Sequence, residues 1–197
     1  MFIILLLRWL TLAGFLLWFV FYWQGGRKVV ADIQKSANIK NTPLDTALMI
    51  TILLASLVVI GTGLLMAIRL FQVDLLRSWA ATLVGCLLVA SGIIGMFTCR
   101  YYLGCFWTAE TSLLQSHQVV DKGPYQVVRH PIYTFAIIMN LGLGLVFPTW
   151  WSWLSVGSIV AAYTLKTWDE DKFLERNLPG YREYRQRVPY RLAPGLW

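Results

Sequence analysis

The stretch that decides the fold reads Gly123-Pro124-Tyr125-Gln126-Val127-Val128-Arg129-His130-Pro131-Ile132-Tyr133, and it ends where a charge-free run begins. Residues 132–165 contain no Asp, Glu, Lys or Arg. At about 1.5 Å per residue, one helix of that length would measure roughly 50 Å, well beyond the ~30 Å hydrocarbon core of a bilayer. Pro148 lies near the middle of the run and is followed by a tryptophan cluster typical of membrane interfaces. The run therefore predicts a hairpin of two short helices.

The rest of the composition indicates an integral membrane protein, because 57% of the residues are hydrophobic and only 14% are charged. Three further apolar stretches, residues 2–23, 46–71 and 79–98, are each long enough to cross a bilayer. We therefore expect an all-α bundle of five transmembrane helices, the last two forming the hairpin, with a cytosolic loop and a C-terminal interfacial helix. Residues 1–98 would form a lipid-facing scaffold, and residues 99–197 the cofactor-binding and catalytic region.

The distribution of Lys and Arg predicts the orientation. With five spans, one side of the membrane receives residues 24–45, residues 99–131 and the tail from Lys166, and the opposite side holds only Arg69 and Arg77. The positive-inside bias then places the N-terminus outside and the motif-bearing loop and C-terminus in the cytosol. The net charge of +7 is better explained by anionic lipid head groups than by nucleic acid.

Several smaller features complete this picture. The first apolar stretch is too long for a signal peptide and is expected to be retained. The three cysteines have no CxxC spacing, so we expect reduced thiols and no metal cluster. In the tail, Tyr181, Tyr184 and Val188 share one helix face and arginines occupy the rest, which is the pattern of an interfacial helix.

The polar chemistry begins in the loop ahead of the hairpin. Gly123-Pro124 marks a tight turn, and a residue before proline is pushed away from helical geometry, so Pro131 is expected to open the fourth helix. The first N–H groups of a helix lack partners and carry the positive end of its dipole. With Arg129 beside it, this opening suits a carboxylate or phosphate, such as the anionic tail of a cofactor. The same residues are also explained by an interfacial anchor and a helix cap.

A second group of polar residues follows the hairpin. Lys166 and Glu170 stand four residues apart and so share a helix face. They could act together, or form an ordinary Lys–Glu pair at a solvated helix end. The run Asp169-Glu170-Asp171 departs from the basic character of this side, and a carboxylate there can hold a cation or accept hydrogen bonds from an amine or sugar.

The order of these motifs resembles one family. Leu103-Gly104-x-x-Trp107, His117-x-x-Val120, Gly123-Pro124-Tyr125, Arg129-His130-Pro131-x-Tyr133, the hairpin, the acidic pair and Gly180-Tyr181-x-x-Tyr184 are similar to the isoprenylcysteine carboxyl methyltransferases and their phospholipid methyltransferase relatives. The resemblance covers residues 103–197. Within it, Arg-His-Pro-x-Tyr alone is less specific, because membrane sterol reductases carry similar segments.

The resemblance implies an enzyme that binds S-adenosylmethionine in a cytosol-facing pocket, releases S-adenosylhomocysteine and methylates a lipophilic substrate arriving from the bilayer. Carried over by position, Lys166 and Glu170 would be catalytic, with Lys166 standing where the family has an arginine that addresses the substrate. Asp169 or Asp171 could take the acidic role instead of Glu170. The cofactor would be bound by His117, Gln118, Val119, Val120, Tyr125, His130, Pro131, Ile132, Tyr133 and Glu170.

Departures from the family pattern leave the acceptor open. Lys166 cannot grip a carboxylate with a bidentate fork as arginine does. Phe135 stands where relatives often have glycine, which would tighten the pocket. The methyl acceptor could be a carboxylate, an amine, a thiol or a hydroxyl, and an amine or thiol would need Glu170 or His117 as a base.

Two other classes of function remain compatible with the sequence. One is a sterol-type reductase, whose NADPH phosphates would also suit the opening of the fourth helix, although the chain has no Gly-rich dinucleotide fingerprint. The other is a non-catalytic membrane scaffold, in which the motif residues are only caps and anchors.

Overall fold

The computed structural model describes residues 2–33, 37–39, 43–68, 78–107, 112–114 and 117–196. Helices dominate this part of the chain: α1 (Phe2–Ile33), α2 (Pro43–Ala67), α3 (Trp79–Leu103), α4 (Pro131–Val146), α5 (Trp150–Asn177) and α6 (Tyr181–Arg187). Short 3-10 turns cover Gly104–Phe106 and Gly123–Gln126. Two three-residue strands, β1 (Ala37–Ile39) and β2 (Ser112–Leu114), pair antiparallel, with Asn38 opposite Leu113.

Three helices are long and apolar enough to cross a membrane, over Phe2–Phe21, Pro43–Ala67 and Trp79–Phe106. This finding confirms the three expected spans in the N-terminal half. The helix α1 continues past its apolar part to Ile33. By comparison α4 is a shorter apolar helix of 16 residues.

The boundary between α4 and α5 follows from local chemistry. Helix α4 ends at Val146 and α5 begins at Trp150, so Pro148 lies in the connection, where its missing N–H removes no helical hydrogen bond. Thr149 caps α5, because its hydroxyl accepts a hydrogen bond from the backbone N–H of Ser152 at 3.0 Å. Trp150 and Trp151 are exposed just after this cap.

Close packing of α3 against α4 depends on small residues. A Cβ added at Gly92 would lie 2.6 Å from the Cβ of Met139, and one added at Gly142 would lie 2.6 Å from the carbonyl oxygen of Gly85. The glycines therefore let the two backbones approach each other directly. At Gly95 the groove is filled by the ring of Phe135. Phe135, which was expected to tighten the pocket, therefore packs its ring against Gly95 of α3.

Besides the apolar core between α1, α2, α3 and α4, an apolar cluster, here called the C-terminal apolar cluster, joins the loops to the C-terminal tail. Its buried members are Leu113, Leu178, Tyr181, Tyr184 and Val188. The tail face that the sequence assigns to the membrane interface is therefore packed inside the protein, which corrects the expected interfacial helix. An amphipathic pattern shows only that one face is apolar, and here the protein itself covers that face.

Candidate active site

The opening of α4 is built as the sequence predicts, with Pro131 as its first residue and His130 in the non-helical position before it. The backbone N–H groups of the two residues before Pro131, however, are already bonded within the protein. Residues 188–192, here called the C-terminal strap, run along this opening. The N–H of Arg129 donates to the carbonyl of Tyr190 at 2.9 Å, and the N–H of His130 donates to the carbonyl of Arg191 at 3.0 Å. The strap thereby fixes the position of His130.

Asp171 is the centre of the polar network, and we call this residue with its four donors the Asp171 hub. Arg129 grips the carboxylate with two N–H groups, at 3.2 and 2.7 Å. His130 Nε2 lies 2.8 Å from it, the hydroxyl of Tyr181 donates at 2.6 Å, and Nε of Arg191 donates at 2.7 Å. The hub joins the loop, α4, α5 and the tail into one unit.

The charge state of Asp171 follows from these contacts. Burial alone would raise the pKa of this carboxyl, but the hydrogen bonds from His130 and Arg129 outweigh it and hold the pKa far below its ordinary value. The carboxylate is therefore ionised at neutral pH. The expectation that Arg129 receives an external anion is wrong, because its side chain is 2% exposed and already binds a carboxylate of the same chain.

The ionised Asp171 also sets the proton on His130. A carboxylate only accepts hydrogen bonds, so His130 Nε2 must be the donor, and in the neutral ring Nδ1 then carries a lone pair. That Nδ1 lies 3.9 Å from Oε2 of Glu170. The Glu170 oxygen in turn accepts a hydrogen bond of 2.7 Å from the hydroxyl of Tyr133. The structure thus brings His130, Tyr133 and Glu170 together, with His130 Nδ1 and the Glu170 carboxylate facing each other across a short gap.

Aromatic rings line the same place. The rings of His130 and Tyr133 are parallel, with centroids 5.8 Å apart, and Tyr133 stacks on Tyr163 of α5 at 5.0 Å. Stacking holds the Tyr133 hydroxyl toward Glu170. Glu170 keeps 20% of its side chain exposed, whereas only 2% of the Asp171 side chain is exposed. Of these two neighbouring carboxylates, Glu170 is the accessible one and Asp171 the internal anchor.

His117 lies within electrostatic reach of this cluster. Burial lowers its pKa below the ordinary value, while the negative charge of Glu170 acts in the opposite direction. Its ring contacts that of Phe106 in a tilted arrangement, with centroids 4.8 Å apart, and its buried Nδ1 has no hydrogen-bond partner among the described residues. A buried acceptor of this kind needs a donor from water or a ligand.

The other expected cofactor residues have mixed positions. Gln118 is exposed, and Val119 and Val120 are half-buried, with Val119 packed against the C-terminal apolar cluster. Tyr125 is buried, and its carbonyl accepts a hydrogen bond of 2.7 Å from Tyr184. Ile132 packs against the apolar core between α1, α2, α3 and α4. Pro131 is buried as the first residue of α4. Glu110, near the start of this loop, lies outside the described residues.

Lys166 has a partner that sequence reasoning missed. Its ammonium forms an ion pair with Asp45 in the first turn of α2, and the two side chains are 2% and 9% exposed. Asp45 also acts electrostatically on Tyr133. Lys166, Asp45 and the Tyr133–Glu170 pair are therefore neighbours. The signal for Asp45 was a carboxylate at the head of an otherwise apolar span, a position where ionisable residues are usually functional.

Two metal resistance proteins align with part of this chain. The cobalt-zinc-cadmium resistance protein CzcN of Cupriavidus metallidurans is 31% identical over 117 residues, which are 56% of this chain and 51% of the relative. The nickel-cobalt-cadmium resistance protein NccN of Alcaligenes xylosoxydans xylosoxydans is 28% identical over 117 residues, 56% of this chain and 52% of the relative. The chain thus spans about half the length of the relatives it matches. Among the described residues, no group of three or more His, Cys, Asp or Glu could hold a metal ion.

A family model covers the region in which the site is built. The model of the phospholipid methyltransferases matches residues 80–179, from α3 through the loop and the α4–α5 pair to the end of α5. This match contains His117, Tyr125, His130, Tyr133, Lys166 and the acidic run. The chain therefore belongs to the phospholipid methyltransferase family.

Proposed function

We propose that the protein is an integral membrane methyltransferase that takes its methyl group from S-adenosylmethionine and transfers it to a lipophilic acceptor at the cytosolic face. Membership of the family supports the reaction class. The geometry supports the place: His130 opens α4, Glu170 lies in the last part of α5, and the Nδ1 and Oε2 atoms of these side chains are only 3.9 Å apart. This convergence is the observation on which the proposal rests.

The residues at that gap fit the proposed cofactor. In the neutral ring the lone pair of His130 Nδ1 and the Glu170 carboxylate are both acceptors, and a group with several N–H donors would bridge them. An α-ammonium group, such as that of S-adenosylmethionine, has three donors and a compensating positive charge. The Tyr133–Tyr163 stack suits a sulfonium, since a cation over an aromatic ring gains about 0.5–2 kcal/mol. The buried Nδ1 of His117 offers a further acceptor.

The protein itself needs to contribute little acid–base chemistry to this reaction. When bound, S-adenosylmethionine supplies a methyl group whose bond to sulfur breaks as an acceptor lone pair attacks, and the sulfur leaves as a neutral thioether. The protein has to exclude water and align the acceptor, which accounts for most of the acceleration in such displacements. An acceptor that carries a proton also needs a base. His117 is suited to this role, because burial lowers its pKa and keeps the ring neutral at pH 7.

The membrane arrangement is part of the proposal. We propose that α4 and the first half of α5 cross the membrane as a pair, which gives five spans with the N-terminus outside. With this orientation the Asp171 hub and Glu170 lie at the cytosolic end of the bundle. A lipophilic acceptor would then reach Glu170 from the bilayer, past the α5 side chains that precede it, of which Leu165 and Trp168 are exposed.

A ligand-binding experiment separates this proposal from a reductase and from a scaffold. The purified protein in detergent is heated with S-adenosylhomocysteine, with NADPH or with neither. A ligand that binds only the folded state adds about 2.7 kcal/mol of stability at a hundred times its Kd. We expect a raised Tm with S-adenosylhomocysteine and none with NADPH. A response to NADPH alone would support the reductase, and no response to either would support the scaffold.

The class of methyl acceptor can be identified by following a labelled methyl group. Membranes that contain the protein are incubated with S-adenosylmethionine labelled in its methyl group, and the lipids are then extracted and separated. We expect the label in an extractable lipid fraction, and no such label in membranes carrying the Glu170→Gln variant.

A further inference from the structure

The ion pair between Lys166 and Asp45 bears on the charge of the acceptor, and the inference rests on the proposed function. Lys166 stands on α5 one turn before Glu170, so the two side chains share a face of that helix. Its ammonium does not face the site unpaired, because Asp45 of α2 binds it. Both groups are nearly sealed from solvent, with 2% and 9% of their side chains exposed.

The pairing makes a carboxylate acceptor unfavourable. An incoming carboxylate that took Lys166 would leave Asp45 buried without its counter-ion, and one that shared Lys166 would add a second negative charge to a buried pair. Glu170, one turn further along α5, adds another negative charge. The two buried or partly buried arginines of the hub, Arg129 and Arg191, both bind Asp171. Each of these cations thus already has a carboxylate of the same chain.

We propose that Asp45 is a specificity-determining residue: by neutralising Lys166 it makes the site reject anionic, carboxylate acceptors and admit uncharged or cationic head groups. The residue comes from a span outside the region that matches the family model, since Asp45 precedes residue 80. Substitution of Asp45 alone should therefore change the charge preference without changing the cofactor residues on α4 and α5.

The test compares two probes with the same hydrocarbon chain and opposite charges, palmitate and hexadecylamine. Their binding to the full chain in neutral detergent is measured for the wild type and for Asp45→Asn. We expect the wild type to bind hexadecylamine at least tenfold more tightly than palmitate. In Asp45→Asn the ammonium of Lys166 loses its counter-ion, so palmitate affinity should rise at least tenfold.

Further variants keep the test decisive if Asp45→Asn does not fold. Lys166→Gln leaves Asp45 without its cation and should raise the preference for hexadecylamine. The double variant Asp45→Asn with Lys166→Gln removes both charges and should not gain palmitate binding. Glu183→Gln, at an exposed site on α6, controls for the change in net charge and should behave as the wild type.

The inference is overturned if the wild type binds palmitate as tightly as hexadecylamine, or if neither single variant shifts the ratio of the two affinities by more than twofold. Stabilisation by S-adenosylhomocysteine is measured on the same samples. A wild type that responds to S-adenosylhomocysteine but shows no charge preference refutes the role of Asp45 and leaves the methyltransferase in place. A wild type with no such response refutes the proposed function itself.

Discussion

At the scale of single residues, the neighbouring carboxylates Glu170 and Asp171 have separate tasks. Asp171 receives hydrogen bonds from Arg129, His130, Tyr181 and Arg191 and is buried. Glu170 is partly exposed and accepts a hydrogen bond from the hydroxyl of Tyr133. The internal carboxylate orients His130, and the accessible carboxylate faces the proposed ligand.

This division predicts that Asp171→Asn destabilises the fold. The amide keeps the shape of the carboxylate but leaves the guanidinium of Arg129 buried without a counter-ion, and breaking a buried pair in this way costs about 3–5 kcal/mol. Thermal melting in detergent should show a lowered Tm. The neighbouring Asp169→Asn is the matched control, and an equal loss of stability in both variants would contradict the hub.

The difference in stability between the wild type and Asp171→Asn should depend on pH in a definite direction. The pKa of Asp171 is depressed in the folded protein, so its contribution to stability is present above its ordinary pKa of about 3.8 and is lost as the pH falls below that value. Melting curves of the wild type and Asp171→Asn should therefore converge at acidic pH and stay apart at neutral pH. A gap that widens toward acid would contradict the assignment.

The sequence predicted part of this site. His130, Tyr133 and Glu170 were expected to meet, and the structure places them together. The partner of Arg129 could not be foreseen, because an arginine at a helix opening is equally suited to an external anion and to a carboxylate 42 residues further on. Asp45 was missed for a related reason: its partner Lys166 is 121 residues away, and only the packing of α2 on α5 joins them.

At the scale of elements, the tight contact between α3 and α4 positions His130 and Tyr133 relative to the bundle. Helix boundaries at Pro131 and Pro148 were readable from the sequence, because proline lacks the N–H that a helix interior needs. The strands β1 and β2 were not, since three residues are too few to show a period of two. The burial of the apolar face of α6 could not be predicted either, because an apolar helix face can be covered by the membrane or by the protein itself.

The α3–α4 contact predicts that Gly142→Ala destabilises the fold. In Gly142→Ala the new methyl group would lie 2.6 Å from the carbonyl oxygen of Gly85, which belongs to a backbone that cannot yield locally. Overpacking of this kind destabilises by about 1–3 kcal/mol. Gly157→Ala on α5 is the matched control, because a Cβ there meets nothing within 4 Å. We expect a lowered Tm for Gly142→Ala alone, and equal Tm values in the two variants would contradict a tight contact between α3 and α4.

At the scale of the whole molecule, the proposed topology places one end of the bundle, with the hub and the strap, in the cytosol. The three N-terminal spans were predictable, because each is a continuous apolar stretch of sufficient length. The crossing of α4 and α5 stays a prediction, since each apolar segment is shorter than a usual span.

The cysteines allow a test of this orientation. Cys105 is exposed at the loop end of α3, whereas Cys99 is buried and Cys86 is half-buried within α3. A membrane-impermeant maleimide should label Cys105 in inside-out vesicles and leave it unlabelled in intact cells or right-side-out vesicles. Cys105→Ser is the control for the label. Labelling from outside the cell would reverse the proposed orientation.

The most direct test of the central claim, that the opening of α4 and the exit of α5 form one cofactor site, is calorimetric titration of S-adenosylhomocysteine. Wild type, His130→Ala, Glu170→Gln and Asp169→Asn are compared in the same detergent. We predict that the wild type and Asp169→Asn bind with similar affinity, and that His130→Ala and Glu170→Gln each bind at least tenfold more weakly while remaining folded. Unchanged affinity in both of the latter variants would contradict the account.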